Sequence, residues 1–242
     1  MQSIARALII GLVALATGVP HAYAALTIHT TRIVFDSAQR NASVIIGNPS
    51  NRVYAAQAWV NTGADDATTA VPLIASPSLF RLNAGSERVV QLAKLPNDLP
   101  NDRESLFFFN LQEVPEALAA EQNSLNIALR TRIKVFYRPS QLSSTPEQTL
   151  NDLRFSVKTI NGQAHLHIVN PTPFHYTFSR LELSAADQKH TVSDADMLAP
   201  MSEESYPMPE NLRTLDLQVE LSVITDYGNS SAPMVLPVHY EP

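Results

Sequence analysis

LNIALRTRIKVFYRP, residues 125–139, alternates apolar and polar side chains in the manner of an extended strand. Leu125, Ile127 and Leu129 recur with a period of two and therefore project from one face of that strand. The other parity carries four cations within nine residues: Arg130, Arg132, Lys134 and Arg138. Charges on one strand face are also typical of an edge strand, where they oppose aggregation. The stretch predicts a long β-strand with an apolar stripe and a cationic face.

A second informative stretch, DRESLFFFN at residues 102–110, lies upstream. Its three consecutive phenylalanines leave no polar face, so the pattern favours a strand that is buried on both sides. The charged triplet Asp102, Arg103 and Glu104 precedes them. We expect a central core strand that is directly preceded by charged residues.

Period-two patterns recur through most of the chain, and Asn, Gly, Pro and Asp bound them. One series of predicted strands covers 43–46, 53–60, 86–92, 106–114 and 125–137; a second covers 153–160, 164–169, 175–183, 215–224 and 234–240. Asn161-Gly162 is a two-residue hairpin signal, and residues 48–51 predict a turn. The polar, proline-bearing residues 139–149 predict a linker between the series. The sequence therefore favours an all-β fold of two antiparallel sandwiches.

Composition excludes several classes of protein. The 242 residues include 17 Pro, which disfavour long helices, and 45% hydrophobic residues, which suffice for a packed core. The absence of Cys excludes disulfide scaffolds, thiolate metal sites and cysteine nucleophiles. The excess of acidic residues, 23 Asp and Glu against 17 Lys and Arg, argues against nucleic acid as a partner.

The first 24 residues have the pattern of a secretory signal peptide. Arg6 supplies a positive charge, residues 7–16 are apolar but too short to span a bilayer, and Ala22 and Ala24 fit the small-residue rule for cleavage. An uncleaved anchor is the alternative. We expect a signal peptide at 1–24, a first domain at 25–142 and a second domain at 147–242, with no membrane span in the mature form.

Motifs for catalysis are scarce. The sequence lacks a G-x-S-x-G nucleophile elbow, a phosphate-binding glycine loop and H-E-x-x-H. His165 and His167 share one strand face and His175 follows, which suits a metal, but exposed or half-buried histidines are the favoured interpretation. Asp65-Asp66 fits a solvated turn better than an acid–base pair. We expect no enzyme, no metal site and no cofactor.

Residues 99–115, LPNDRESLFFFNLQEVP, resemble the signature of the periplasmic pilus-assembly chaperones of the chaperone–usher pathway. Residues 31–35, 127–139, 170–174 and 226–228 extend the resemblance over essentially the whole mature chain, more specifically in the first domain than in the second. The resemblance implies two immunoglobulin-like sandwiches set as a boomerang around a cleft. It also implies pilin subunits as partners, to which the chaperone lends a strand until an outer-membrane usher exchanges it.

The resemblance assigns binding roles to two groups of residues. Arg32 and Lys134 correspond to the pair that anchors the carboxyl terminus of the subunit, a task suited to a guanidinium and an ammonium. Leu125, Ile127 and Leu129 correspond to the residues that are donated to the open groove of the subunit.

A third group, Glu104, Arg138 and Asp226, corresponds to a charge network that joins the domains of the family. The loop at residues 115–124 is short, which implies the short-loop branch. An exposed apolar edge strand also predicts self-association of the chain when no subunit is bound.

Two other functions stay open at this stage. A surface or periplasmic ligand-binding sandwich, such as an adhesin module, would use exposed aromatic residues, and the single Trp59 lies in an apolar strand that favours a core position. A hydrolase would have to use the histidines.

Overall fold

The computed structural model describes residues 26–66, 68–114, 128–185, 188–212 and 216–240. These residues form strands joined by turns, with two single-turn 3-10 helices at Leu150–Asp152 and Glu210–Leu212. The strands are β1 (Thr27–Ile28), β2 (Arg32–Asp36), β3 (Asn41–Gly47), β4 (Tyr54–Asn61), β5 (Leu73–Ser76), β6 (Leu79–Leu82), β7 (Glu87–Lys94), β8 (Ser105–Val114), β9 (Arg130–Arg138), β10 (Arg154–Ile160), β11 (Gln163–Asn170), β12 (Phe178–Ala185), β13 (Gln188–Thr191), β14 (Ser202–Pro207), β15 (Gln218–Val223) and β16 (Met234–Tyr240). The predicted all-β class is confirmed.

The first sandwich packs a four-stranded sheet, in the order β1-β3-β7-β5, against a five-stranded sheet in the order β2-β9-β8-β4-β6. Side chains from both sheets, among them Val44, Leu92 and Val135, form one buried core. The N-terminal segment contributes to both sheets, because β1 pairs antiparallel with β3 whereas β2 pairs parallel with β9. This change of partner places the start of β2 at the side of β9.

The phenylalanine run lies in β8, the middle strand of the larger sheet. Phe107, Phe109 and Leu111 face the core. On the opposite face Phe108 is half-buried and Asn110 is fully buried. The prediction of a central strand that is covered on both sides is confirmed for these residues.

The second sandwich is one continuous sheet in the order β13-β12-β15-β16-β10-β11-β14. Its residues 234–237 in β16 pair antiparallel with β15, and residues 238–240 pair parallel with β10, so β16 passes from one layer to the other. A separate core that includes Phe155, Leu166 and Leu221 lies between the layers. Two cores without shared residues confirm the prediction of two sandwiches.

An Asn-Pro pair closes a turn in each sandwich. Asn48 and Asn170 are both buried and each precedes Pro and a hydroxyl residue. Asn48 Nδ2 donates to the carbonyl of Arg52 at 2.7 Å, and Asn170 Nδ2 donates to the carbonyl of Phe174 at 2.8 Å. Each amide therefore satisfies the main chain of its own turn. The predicted turn at residues 48–51 is confirmed.

The predicted hairpin at Asn161-Gly162 joins β10 and β11. Both residues have positive φ, 51° and 82°. A two-residue hairpin that matches the twist of its strands needs this conformation, and Asn and Gly adopt it most readily.

Six strands of two to six residues were not predicted as strands: β1, β2, β5, β6, β13 and β14. They hold too few alternating residues to give a clear period. The predicted strand at 175–183 begins only at Phe178, because the preceding residues bind elsewhere. Tyr176 forms an isolated bridge with Leu198, and His175 binds the first domain.

The predicted linker at 139–149 consists of turns that lie against the second sandwich. Leu142 packs against the second core, and the Tyr176 hydroxyl donates to the carbonyl of buried Pro146 at 3.0 Å. The domain bounds 25–142 and 147–242 stay predictions. The predicted signal peptide at 1–24 and the predicted short loop at 115–124 lie outside the described residues. Within the described ranges no helix is long and apolar enough to cross a membrane.

Candidate functional site

Arg32 and Lys134 lie side by side where the two domains meet. They are register partners in the parallel pair of β2 and β9. Arg32 Nη1 donates to the carbonyl of Ile224 at 2.8 Å, and Lys134 Nζ donates to Thr177 Oγ1 at 3.2 Å. Both acceptors belong to the second sandwich, so this predicted pair lies at the junction between the domains.

Both cations are poorly solvated. Arg32 is 9% exposed, and its Nε is buried without a hydrogen-bond partner. Burial lowers the pKa of Arg32, and attraction to Asp226 and Glu104 offsets only part of this effect. Burial also lowers the pKa of Lys134; repulsion from Arg32 adds to the shift, and attraction to Asp196 opposes it.

Within the described part of the chain, neither Arg32 nor Lys134 forms an ion pair. A guanidinium with an unused N–H and a neighbouring ammonium supply several charge-assisted donors. Two like charges in a poorly solvated place repel each other, and an anion bound beside both would remove that repulsion. The pair is therefore suited to bind a carboxylate.

The edge of β9 that leads to Lys134 is open. On one side β9 pairs with β8 from Arg130 to Tyr137, whereas β2 covers the other side only from Lys134 onward. Of the strands the structure describes, none pairs with residues 130–133 on that second side. Leu129, next to this edge, is 51% exposed. The other members of the apolar stripe, Leu125 and Ile127, lie outside the described residues.

Arg138, at the end of β9, binds carboxylates of both domains. Its Nε donates to Glu104 Oε1 at 2.7 Å, while Nη1 and Nη2 donate to the two oxygens of Asp226 at 2.6 and 2.9 Å. Burial alone would lower the pKa of Arg138, but hydrogen bonds to Asp226 and the charge of Glu104 outweigh it and raise the pKa. The guanidinium also lies over the ring of Phe174, 5.3 Å from its centroid. The three residues predicted as a network are in direct contact.

His175 completes this network, and sequence reasoning missed it. Its main-chain N–H donates to Glu104 Oε2 at 2.9 Å, and its Nδ1 lies 3.0 Å from the same oxygen. The ring packs against Phe136 with 5.4 Å between centroids. Glu104 in turn donates its N–H to the carbonyl of Pro173 at 2.9 Å. The one signal in the sequence for this role of His175 was its place directly after residues 170–174, which carry part of the family resemblance.

The turn that holds Asp226 lies close against the first domain. Gly228 has a φ of 86°, in the left-handed region, and a Cβ at this position would overlap Thr31 Oγ1. Glycine meets both demands, the positive φ and the close approach. Thr31 directly precedes β2, so this contact fixes the Asp226 turn beside Arg32.

The remaining cations of β9 pack on aromatic rings of the outer sheet face. Arg130 lies 5.0 Å from the ring centroid of Trp59, and Arg132 lies 3.9 Å from that of Phe108. Arg130 also forms an ion pair with Asp65, and this hydrogen bonding lowers the pKa of Asp65. The expectation that Trp59 belongs to the core is wrong, because its neighbours in β4 are the residues that face inward and Trp59 is half-buried on the outer face.

The three histidines singled out from the sequence lie in different surroundings. His167 is buried, with Nδ1 2.9 Å from Ser205 Oγ and Nε2 3.4 Å from Glu203 Oε2. His165 Nδ1 lies 3.1 Å from the carbonyl of Gln163. His175 belongs to the network around Glu104. Across the described ranges, no three potential ligands of a metal ion cluster together.

Comparison with known families accounts for this architecture. A family model described as "Pili and flagellar-assembly chaperone, PapD N-terminal domain" matches residues 25–143, and one described as "Pili assembly chaperone PapD, C-terminal domain" matches residues 148–233. The chain belongs to the PapD-like family of pilus-assembly chaperones. The family consists of chaperones and not of enzymes, so the predicted non-enzymatic function is confirmed and the hydrolase and adhesin alternatives are set aside.

Curated relatives of this chaperone share its length. The probable fimbrial chaperone YadV of Escherichia coli K12 is 34% identical over 214 residues, 85% of this chain and 87% of the relative. The chaperone protein PapD of Escherichia coli is 36% identical over 208 residues, 85% of this chain and 83% of the relative.

Solved structures share the two-domain fold. The crystal structure of the YadV chaperone has a TM-score of 0.74 and 31% identity, covering 88% of this chain and 100% of the other. A chain in the complex of Salmonella enterica SafA pilin with the SafB chaperone also has a TM-score of 0.74, at 24% identity, covering 90% of this chain and 98% of its own. The family and the fold predicted from the sequence are confirmed.

Proposed function

We propose that this chaperone acts in the periplasm, binds pilin subunits by donor-strand complementation and delivers them to an outer-membrane usher. Membership of a pilus-assembly family supports the process. One geometric observation supports the mode of binding: two desolvated cations, Arg32 and Lys134, lie where the open edge of β9 meets the start of β2.

The direction of β2 predicts how a subunit strand binds. β2 runs parallel to β9 and begins at Arg32. A strand that adds to the same edge of β9 in the same direction must end where β2 begins. Its last residue then lies beside Arg32 and Lys134, and its terminal carboxylate supplies the anion that both cations lack. Main-chain hydrogen bonds along the edge add affinity that tolerates different subunit sequences.

The apolar stripe supplies the side chains of the donated strand. Leu125, Ile127 and Leu129 project from one face and replace the missing last strand of the subunit in its open groove. The 51% exposure of Leu129 agrees with a residue that awaits a partner. Burial of each side chain stabilises the complex by about 1.5–3 kcal/mol before the costs of association.

The charge network fixes the geometry in which the anchor works. Arg32 and Lys134 each use an acceptor from the second domain, so their positions depend on how the domains are joined. Glu104, Arg138 and Asp226 hold that junction together.

Processing and release complete the proposed cycle. Cleavage after Ala24 leaves a mature chain that begins at Ala25. No nucleotide motif is required, because the subunit folds against a strand at the usher that completes it better than the donated one, and this folding drives release.

The unloaded chaperone self-associates through the open edge of β9, which is otherwise an unpaired template for another strand.

Co-expression with pilin subunits encoded next to its gene tests the proposal. A tagged chaperone purified from the periplasm should retain a pilin, and pilin levels should fall when the chaperone is absent. Arg32→Ala should lose the pilin, whereas the matched control Arg154→Ala, an exposed position in β10, should retain it. Failure of the wild-type chain to retain any of these subunits would contradict the proposal.

A further inference from the structure

The open segment of β9 is held through its side chains. Of the strands that the structure describes, only β8 pairs with residues 130–133, because β2 lies beside the rest of β9. A segment with a single neighbour opens more readily than one that is paired on both sides. Both outward cations of this segment bind the loop that follows β4: Arg132 Nη2 donates to the carbonyl of Thr62 at 2.6 Å, and Arg130 donates two hydrogen bonds to Asp65. These contacts hold the start of β9 from its outer face.

Arg130 also belongs to a closed ring of four hydrogen-bonded side chains. Its Nη1 donates to Asp65 Oδ2 at 3.0 Å, and its Nε donates to Asn110 Oδ1 at 3.0 Å. Asn110 Nδ2 donates to Asn61 Oδ1 at 2.9 Å, and Asn61 Nδ2 donates to Asp65 Oδ1 at 2.6 Å, which closes the ring. Both asparagines are buried. A satisfied network of this kind favours one arrangement of β4, β8, β9 and the loop.

The neighbouring carboxylates Asp65 and Asp66 have different partners. Asp66 accepts hydrogen bonds from the N–H groups of Thr68 and Thr69, at 2.9 and 2.6 Å, and so binds its own loop. Asp65 reaches across to β9 from a main chain with a φ of 58°, in the left-handed region. Aspartate and asparagine tolerate this conformation better than most residues, and such positions cluster at functional sites. Asp65 is therefore the member of the pair that connects the loop to β9.

We propose that Asp65 is a positioning residue that holds the start of β9 in strand geometry and so directs the donated stripe toward the subunit. It acts through Arg130, which directly follows Leu129. The guanidinium is held on the outer face, 5.0 Å from the ring centroid of Trp59 and on the face opposite to the apolar stripe. On β9 these contacts use side chains, so the main-chain edge stays open for a subunit strand. A donor strand that is ordered in advance loses less conformational entropy when it binds.

The proposal has two consequences that can be measured separately. The order at the start of β9 is a property of the chaperone alone. The effect on pilin capture rests on the proposed function, because it requires that the stripe is donated.

Amide hydrogen exchange in the mature full-length chain tests the first consequence. Thr131 pairs with Leu111 of β8, so its exchange reports how often the start of β9 opens. Asp65→Asn keeps the shape of the side chain and the tolerance for a left-handed main chain, but it removes the charge. Exchange at Thr131 should become about 3–30-fold faster. Exchange at Val135, where β2 covers β9, should stay the same.

Asp66→Asn is the matched control for this measurement. It removes a carboxylate one residue away that binds only within the loop among its printed partners Thr68 and Thr69, so exchange at Thr131 should equal that of the wild type. Equal exchange at Thr131 in Asp65→Asn and in the wild type overturns the proposal.

Titration of the purified chaperone with a pilin encoded next to its gene tests the second consequence. Asp65→Asn should bind about 3–30-fold more weakly, with a melting temperature within about 2 °C of the wild type, because the pair is partly exposed. A merely structural role would lower the melting temperature together with binding. Asp65→Asn combined with Arg130→Gln should bind no more weakly than Arg130→Gln alone, since Asp65 acts through that residue.

The outcomes separate this proposal from the proposed function. Faster exchange at Thr131 with undiminished pilin binding overturns the positioning role, and additive losses in the double variant overturn the action through Arg130. If the wild-type chain binds none of these pilins, the proposed function fails and the role of Asp65 in capture fails with it, whereas the effect at Thr131 stands on its own.

Discussion

Arg138 and Asp226 are joined by two parallel hydrogen bonds, of 2.6 and 2.9 Å, that connect the end of β9 to the second domain. A bidentate guanidinium–carboxylate pair fixes orientation as well as distance. Glu104 takes the third position on the guanidinium, at 2.7 Å from Nε. The relative position of the two sandwiches therefore depends on a small set of directed contacts.

Asp226→Asn should loosen this junction, because asparagine keeps the shape of the side chain but removes its charge. Breaking a buried pair costs several kcal/mol; since Asp226 is 29% exposed in its side chain, we expect about 1–3 kcal/mol. The melting temperature should fall by several degrees, and small-angle X-ray scattering should show a wider range of domain arrangements. Asp98→Asn, at an exposed position, is the control. Unchanged melting and scattering would contradict this role.

The second prediction concerns Arg32 and Lys134 as the proposed anchor of the subunit carboxylate. Arg32→Ala or Lys134→Ala should weaken pilin binding by about 2–5 kcal/mol, roughly thirtyfold to several thousandfold, because the subunit carboxylate loses one of two poorly solvated partners. Titration of purified chaperone with a pilin measures the effect. Circular dichroism should stay native in both variants. Normal binding by both variants would refute the anchor.

The third prediction concerns the stability of the chaperone without a bound subunit, and it follows from the lowered pKa of Lys134. The unfolded chain binds this proton more readily than the folded chain, so the free energy of unfolding rises with pH between the lowered pKa and the ordinary value of 10.5. Below the lowered pKa the full cost of the charge is present. Lys134→Met removes that cost and keeps most of the length of the side chain. Its melting temperature at pH 7 should equal or exceed that of the wild type while pilin binding is lost; a clear drop would mark Lys134 as a structural residue.

The sequence predicted those strands and turns that depend on a local pattern of residues. Alternation located β8 and β9, and Asn161-Gly162 located a hairpin, because one strand or turn determines each of these features. The pairing of Arg32 with Lys134 came from the family resemblance, since no spacing connects residues so far apart. Trp59 was misplaced because β4 carries small or apolar residues on both parities, so its inward face is ambiguous.

Tertiary contacts explain what the sequence could not predict. His175 acquires its role from a partner in a distant segment, Glu104. His175 does not stand in a motif of its own type. Its place next to residues 170–174 was the only local signal, and its contact with Glu104 is visible only after the sandwiches are assembled.

The last prediction concerns the apolar stripe next to the open edge of β9. Ile127→Asp should keep near-native circular dichroism and melting temperature, because a donated side chain faces the subunit and not the core of its own domain. The variant should fail to protect co-expressed pilin from degradation, since a carboxylate replaces a buried group worth about 1.5–3 kcal/mol and has no partner in an apolar groove. Val135→Asp is the matched control: Val135 lies in β9 at 0% exposure, and its replacement should unfold the first sandwich. If Ile127→Asp also unfolds, the stripe belongs to the core; if it folds and still protects pilin, the stripe is not the donated strand.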